Sequence, residues 1–421
     1  LTVSTEPPEN IDANDELALY GVEAIAASLR AAAPPFPPFA PYDDADAQAA
    51  KTLHATPFAW RPTEDIPPRR WLYGRHLIRK FLSLDIAPGG LGKSSVKVVE
   101  ALAMTANQPL LKKPVHDGPH RVWLYNLEDP AEETERRIHA ALERFDLAPE
   151  DIGDRLYCDT GREQPLCIAE ELDNGVRLIT PVIDSIMAEI IDRHIDVLII
   201  DPFVSSHTVS ENDNGRIDKV AKEWSRIADT CNCSINLVHH VRKTNGAEVT
   251  AESSRGAVSL IGAARSVVVY NRMTKEEGER AGIAPDQRGF YFRTQNDKAN
   301  LAPPEAADWH RMNNVDLANG DSVGVACPWE WPDSFEGVTT WHLKQVQQRI
   351  GEGQFRRDVQ ASNWAGIIVA DVLGIDPAKD RARIKDILKA WLQTDMLREV
   401  EGEDKHRKPR VFIEVGTWCT D

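Results

Sequence analysis

The run Ala87-Pro88-Gly89-Gly90-Leu91-Gly92-Lys93-Ser94 sets the first chemical expectation. Small residues let a backbone curl so that its N–H groups converge on anionic oxygens, and Gly89, Gly90 and Gly92 supply that freedom. An apolar stretch precedes the loop and a helical stretch follows it, so the positive end of the helix faces the same anion. Lys93 would reach the β- and γ-phosphates and Ser94 would bind Mg²⁺. The expected nucleotide contacts run from Pro88 and Leu91 through Ser95, with ATP and Mg²⁺ as cofactors. Ala87 stands where the usual pattern has glycine.

Asp201 closes the apolar run Val197-Leu-Ile-Ile. A carboxylate at the end of a parallel strand faces the ligand crevice, so Asp201 joins Ser94 as a metal-site candidate. Pro202 follows it, which puts the water-activating base elsewhere. Glu128, or its neighbour Asp129, follows the strand at Val122 and could polarise water. The competing role is to sit favourably in the first turn of the next helix. His239-His240 ends another strand, where adjacent side chains point to opposite faces. His240 is the candidate γ-phosphate sensor, with a packing role or a metal site as rivals. Arg242, Lys243 and Arg255 flank a polar stretch that could track a phosphate backbone or be an ordinary solvated loop. Arg265 lies among small apolar residues and needs an anionic partner, either a neighbouring subunit's γ-phosphate or an internal carboxylate.

The elements that must position these groups alternate. Strands are expected at Phe81 to Ile86, Val122 to Leu127, Val197 to Ile200, Ser234 to Val238, Ser266 to Asn271 and Gly289 to Thr294. Helices are expected at Lys93 to Ala106, Ala131 to Phe145, Ile179 to His194 and Gly215 to Thr230. That alternation predicts an α/β fold whose mostly parallel central sheet is covered on both faces. Four regions result: an acidic Pro/Ala-rich arm over 1–57, a core over 58–300, an irregular extension with short strands over 301–354, and a small helical unit ending in a hairpin over 355–421.

The 421 residues carry a net charge of -17, and residues 1–50 hold nine acids against one base. The whole surface is therefore no basic nucleic-acid coat, although local patches can still bind. The six cysteines form no C-x-x-C pair, which predicts reduced thiols. Neither an apolar run of membrane length nor a leader pattern is visible, so a cytoplasmic location without membrane contact is expected.

The phosphate loop, Leu127-Glu128-Asp129-Pro130, Ile200-Asp201, His239-His240, Ser254-Arg255-Gly256 and Arg265 occur in that order. Over roughly Ile66 to Asn300 the chain resembles the RecA-like core of RepA-type hexameric replicative helicases and the AAA-type ATPases of plasmids and phages. The resemblance implies Glu128 as water-activating base and His239-His240 as the link between γ-phosphate and DNA. It also implies that Arg265 acts in trans, which makes a ring, hexameric in that family, the expected assembly. The tail from Trp364 to Gly416 looks like a winged helix, with Lys405, Arg407 and Lys408 in its wing facing duplex backbone or a protein partner. Two functions follow as expectations. One is a helicase working on single-stranded or forked DNA. The other is an ATP-switched DNA binder without unwinding, such as a helicase loader, a regulator or a defence-associated ATPase. The arm or the tail would recruit a replication or defence partner. Pro88, where partition-type ATPases carry lysine, argues against that class. A small-molecule kinase would need an acceptor pocket that these motifs do not serve.

Overall fold

The computed structural model describes residues 54–173, 175–241, 248–252, 258–404 and 406–420. The chain divides into two units, Leu1–Pro67 and Pro68–Asp421. In the first, the described residues carry one 3-10 turn, Thr63–Asp65, none of it buried.

The second unit opens with the ribbon β1 (Trp71–Tyr73) and β2 (Leu77–Ile78), then β3 (Leu82–Pro88), which runs into the glycine loop. Helix α1 (Lys93–Ala106), β4 (Val122–Asn126), α2 (Ala131–Phe145), the short α3 (Pro149–Ile152) and β5 (Leu156–Thr160) follow. The hairpin β6 (Ala169–Leu172) and β7 (Gly175–Leu178) precedes α4 (Thr180–Asp192) and β8 (Val197–Asp201). Then come α5 (Asn214–Thr230), β9 (Ser234–Val241), α6 (Val258–Ala263), β10 (Ser266–Arg272) and α7 (Lys275–Arg280). Three further strands are β11 (Tyr291–Ala299), β12 (Asp308–Asp316) and β13 (Ser322–Trp329). The tail holds α8 (Thr340–Gly351), β14 (Phe355–Arg356), α9 (Ala365–Leu373), α10 (Arg381–Gln393), β15 (Leu397–Glu403) and β16 (Pro409–Val415).

A nine-stranded sheet runs β13-β12-β11-β10-β3-β9-β8-β4-β5. From β10 to β5 every neighbouring pair is parallel. The strands there read as continuous apolar runs because helices cover both faces; all five residues of β8 are buried. This is the α/β core with a mostly parallel sheet, its glycine loop between β3 and α1, that the sequence led us to expect. One part differs. The stretch expected to hold short strands in an irregular extension instead supplies β12 and β13, nine and eight residues long, which pair antiparallel onto the same sheet. The tail packs around its own core, including Val346, Trp364, Val369, Ile384, Trp391 and Ile413, against a sheet of order β14-β16-β15.

Beneath the loop lies a buried ionic network. Lys97 of α1, 1% exposed, pairs with Asp85 of β3 at 2.5 Å and with Glu100 at 2.6 Å. Tyr270 of β10 donates to Asp85 at 2.6 Å, as does Asn236 of β9 at 2.9 Å. Burial pushes the Glu100 carboxyl up, but Lys97 and His76 outweigh it and hold the group well below the usual carboxylate range. Replacing one partner of a buried pair leaves the other charge uncompensated. Lys97→Met should therefore cost about 3–5 kcal/mol of stability in chemical denaturation; a loss within error of wild type would show that the network carries no such load.

His310 of β12 is 1% exposed, stacks on Phe292 with ring centroids 5.0 Å apart, and shares a 2.9 Å hydrogen bond with Thr294. Burial first, and Lys113 second, pull its pKa down to about 4. The unfolded chain takes up this proton near pH ~6.5, while the folded chain resists until much lower pH. The resulting stability is complete above pH ~6.5, declines as pH falls toward about 4, and totals about 3 kcal/mol. A His310→Asn variant should lose that slope in denaturation curves taken across the window. An unchanged slope would assign it to other groups.

Candidate functional site

All parallel strands end on one edge of the sheet, and that edge gathers the candidate groups. Gly90 and Gly92 adopt positive φ, 69° and 83°, to turn the loop. A Cβ at Gly92 would lie 2.9 Å from Met312 Sδ, so both the turn and the close approach require glycine there. Lys93 is 4% exposed, and its ammonium donates to the carbonyls of Ala87 at 3.2 Å and Pro88 at 2.9 Å. Burial lowers its pKa, while Asp201, Asp85 and Glu128 pull in the opposite direction. Phosphate oxygens at the loop would oppose the lowering in the same way.

Ser94 Oγ donates to Asp201 Oδ2 at 2.7 Å, joining the first turn of α1 to the end of β8. A hydroxyl and a carboxylate suit a hard divalent cation, and Mg²⁺ in such sites takes few protein ligands plus substrate phosphates. Among the described residues no group of three or more His, Cys, Asp or Glu could hold a metal alone. The donor set therefore fits Mg²⁺ bound together with a nucleotide.

Strand β9 continues through both histidines. His240 pairs in register with Ala87 and places Nε2 3.7 Å from Asp201 Oδ1, on the loop's side of the sheet. His239 is 6% exposed and faces Glu211 at 3.4 Å. Glu128 follows β4, whose last residue, Asn126, pairs with Asp201. Asn126 Oδ1 accepts the backbone N–H groups of Glu128 at 2.9 Å and Asp129 at 2.8 Å. Arg137 of α2 clamps Asp129 at 2.7 Å. The turn that carries Glu128 is thus held from both sides, and the Glu128 side chain is left exposed.

Other candidates fall elsewhere. Ser95, expected as a nucleotide contact, commits its hydroxyl to β13: it donates to Gly324 O at 3.1 Å and accepts from Ala326 N at 2.9 Å. Arg265 precedes β10 at the amino end of the sheet, with its N–H on Leu82 O at 2.9 Å, and so lies away from its own loop. Its side chain is exposed and forms no ion pair among the described residues, so the internal carboxylate considered as its partner is not found there. Arg407 and Lys408 are exposed between β15 and β16 in the tail. Arg242, Lys243, Arg255 and Lys405 lie outside the described residues.

Besides Asn126, three contributors escaped the sequence reading. Arg272, at the carboxyl end of β10, donates to Gly90 O at 3.0 Å. Arg136 lines the loop's cleft and bonds Asp321 at 2.8 Å. The β12–β13 hairpin forms one wall of that cleft, about 510 Å³ in volume, through Met312 and Asp321 to Gly324. An arginine closing an apolar strand was the available signal for Arg272. No local signal marked the hairpin.

The loop, the paired Ser94 and Asp201, and the sheet that holds them make this core a P-loop ATPase domain. Residues 47–246 match the family model described as an AAA domain. Among solved structures, the chain is similar to one described as an ATPase domain, at 13% identity and a TM-score of 0.39, over 59% of this chain and 86% of that one. Among the described residues no helix is long and apolar enough to cross a membrane.

Asn126→Ala should free the Glu128 turn. ATP turnover is expected to fall about tenfold or more while KM for ATP changes less than about twofold, since positioning rather than binding is lost. Unchanged kcat would remove Asn126 from the catalytic geometry.

Proposed function

We propose that this chain is an ATP-hydrolysing, ring-forming DNA motor, a replicative-type helicase of a mobile element. The observation that supports it best is the line of Lys93, His240, Asp201 and Glu128 along one carboxyl edge of the sheet, with the candidate base on β4 rather than beside Asp201. Lys93 contacts the β- and γ-phosphates, and Ser94 and Asp201 hold Mg²⁺, which when bound neutralises phosphate charge. Glu128 takes the proton of the attacking water, while His240 sits between the metal-holding acid and the loop and reads the γ-phosphate. Arg265, exposed and without an ion pair among the described residues, serves the cleft of the next subunit, so that hydrolysis follows ring assembly. Single-stranded DNA would be tracked by Arg242, Lys243 and Arg255.

In this reading the ATPase core reaches beyond residue 300 to include β12 and β13, and residues 355–421 form a winged-helix-like domain. That domain favours the second reading in one respect. It has its own hydrophobic core, and Arg407 and Lys408 are exposed on its wing, as an ATP-switched DNA binder without unwinding activity would need.

One experiment separates the two. Wild type should hydrolyse ATP faster with single-stranded DNA present and should separate a forked duplex. Glu128→Gln should bind ATP and DNA as a ring by mass measurement, yet hydrolyse about 10²–10⁴ times more slowly. ATP-dependent rings that never separate the fork would leave the switch. A monomer under every condition would remove the trans role of Arg265.

A further inference from the structure

The cleft beside the phosphate loop has a wall that the phosphate chemistry does not use. Strand β13 is the outer edge of the nine-stranded sheet, so one side of its backbone has no strand partner among the described residues. Ser95 reveals which residues turn their polar groups outward, because its hydroxyl takes Gly324 O and Ala326 N. In an antiparallel pair, residues two apart share an orientation, so the C=O of Ser322 and the N–H of Gly324 face outward as well. The inward set agrees: Leu317 N donates to Asp321 O at 2.8 Å across the turn. Ser322 and Gly324 both line the cleft that the phosphate loop and the first turn of α1 also line. Met312 lies against the same place, its Sδ 2.9 Å from where a Cβ on Gly92 would be.

We infer that the outer edge of β13, with Met312, is the nucleobase site of this P-loop, and that it selects adenine over guanine. The inference rests on the nucleotide-binding reading above. A carbonyl and an N–H two residues apart on one edge offer an acceptor beside a donor. Adenine presents the complement, the N6 amino donor beside the N1 acceptor. Guanine presents O6 and N1–H, the reverse order, and would leave buried polar groups opposed. The thioether of Met312 supplies a polarizable surface for the ring. Gly324 admits the base because a side chain there would fill the space in front of Met312, whose Cε is 3.0 Å from that Cβ position.

Binding of ATP, GTP and inorganic tripolyphosphate to the full chain tests this, each measured by calorimetry with Mg²⁺. Wild type should bind ATP at least about tenfold more tightly than GTP. Met312→Ala should weaken ATP about threefold to tenfold and leave tripolyphosphate unchanged. Gly324→Pro removes an outward N–H, leaves the β12–β13 ladder bonds in place and puts its ring in the space in front of Met312, so by both effects it should weaken ATP and bring the ATP-to-GTP ratio close to one. If that variant fails to fold, the wild-type ratio and Met312→Ala decide. Equal ATP and GTP affinity in wild type, or a Met312→Ala variant that weakens tripolyphosphate as much as ATP, overturns the base site while leaving the phosphate loop intact. Failure of wild type to bind either ATP or tripolyphosphate removes the nucleotide reading itself, and the base site with it.

Discussion

Lys97 holds this site together without touching it. It lies one helical turn beyond Lys93, so both side chains leave the same side of α1. Lys93 turns up to the loop carbonyls, and Lys97 turns down into the sheet. Its two carboxylate partners, with Tyr270 and Asn236, draw β3, α1, β9 and β10 onto one buried point. An apolar contact would tolerate a small rotation of α1. A buried ammonium between carboxylates does not, because displacement strands charge in a low dielectric. The network therefore fixes the rotation of the helix, and with it the direction of the N–H groups that the loop turns toward phosphate.

The sheet order then distributes the chemistry. The loop strand β3 and the Asp201 strand β8 are not adjacent; β9 lies between them and β4 lies beyond. Each strand delivers one group to the common edge, so the distance from Lys93 to the turn that carries Glu128 depends first on strand spacing. Neighbouring strands sit about 4.8 Å apart, which leaves β3 and β4 about three spacings apart, the room that the proposed mechanism needs for phosphates, a metal and a water. Asn126 and Arg137 complete the arrangement by fixing the single turn that leaves the sheet with Glu128 on it.

Much of this was legible because its causes are local. The loop is defined by its own glycines, and β8 by a run that only a strand buried on both faces would carry. The helices α1 and α2 begin where the expected boundaries put them, at Lys93 and Ala131. The hairpin was illegible for the opposite reason. The sequence Asp308-Trp-His-Arg-Met-Asn-Asn-Val-Asp316 has no apolar alternation, since the strand is secured by Trp309 against Trp329 and Trp331 and by pairing in register with β13. Its most consequential contact, Ser95 with Gly324, spans 229 residues. Asn126 escaped notice similarly. It reads as the polar end of a strand until its carbonyl oxygen is seen to hold two backbone N–H groups.

The two ends of β10 bear on the proposed ring. Arg272, at the carboxyl end, is already engaged with the loop it adjoins. Arg265, at the amino end, is separated from that loop by the length of the strand, about 20 Å for seven residues. A second cation lies within its electrostatic reach: burial, and then Arg265, lower the pKa of Lys298. Lys298 can spend its charge on the carbonyls that end α6, at 2.6 Å from Ile261 O and 3.0 Å from Ala264 O. Arg265 has no such outlet among the described residues. An exposed guanidinium beside a second cation is stabilised by an anion from outside the chain, and phosphate matches its geometry better than a single carbonyl does. In the proposed ring, that anion belongs to the nucleotide of the adjoining subunit, so the charge that is unfavourable in the isolated chain becomes the one that makes hydrolysis depend on the neighbour.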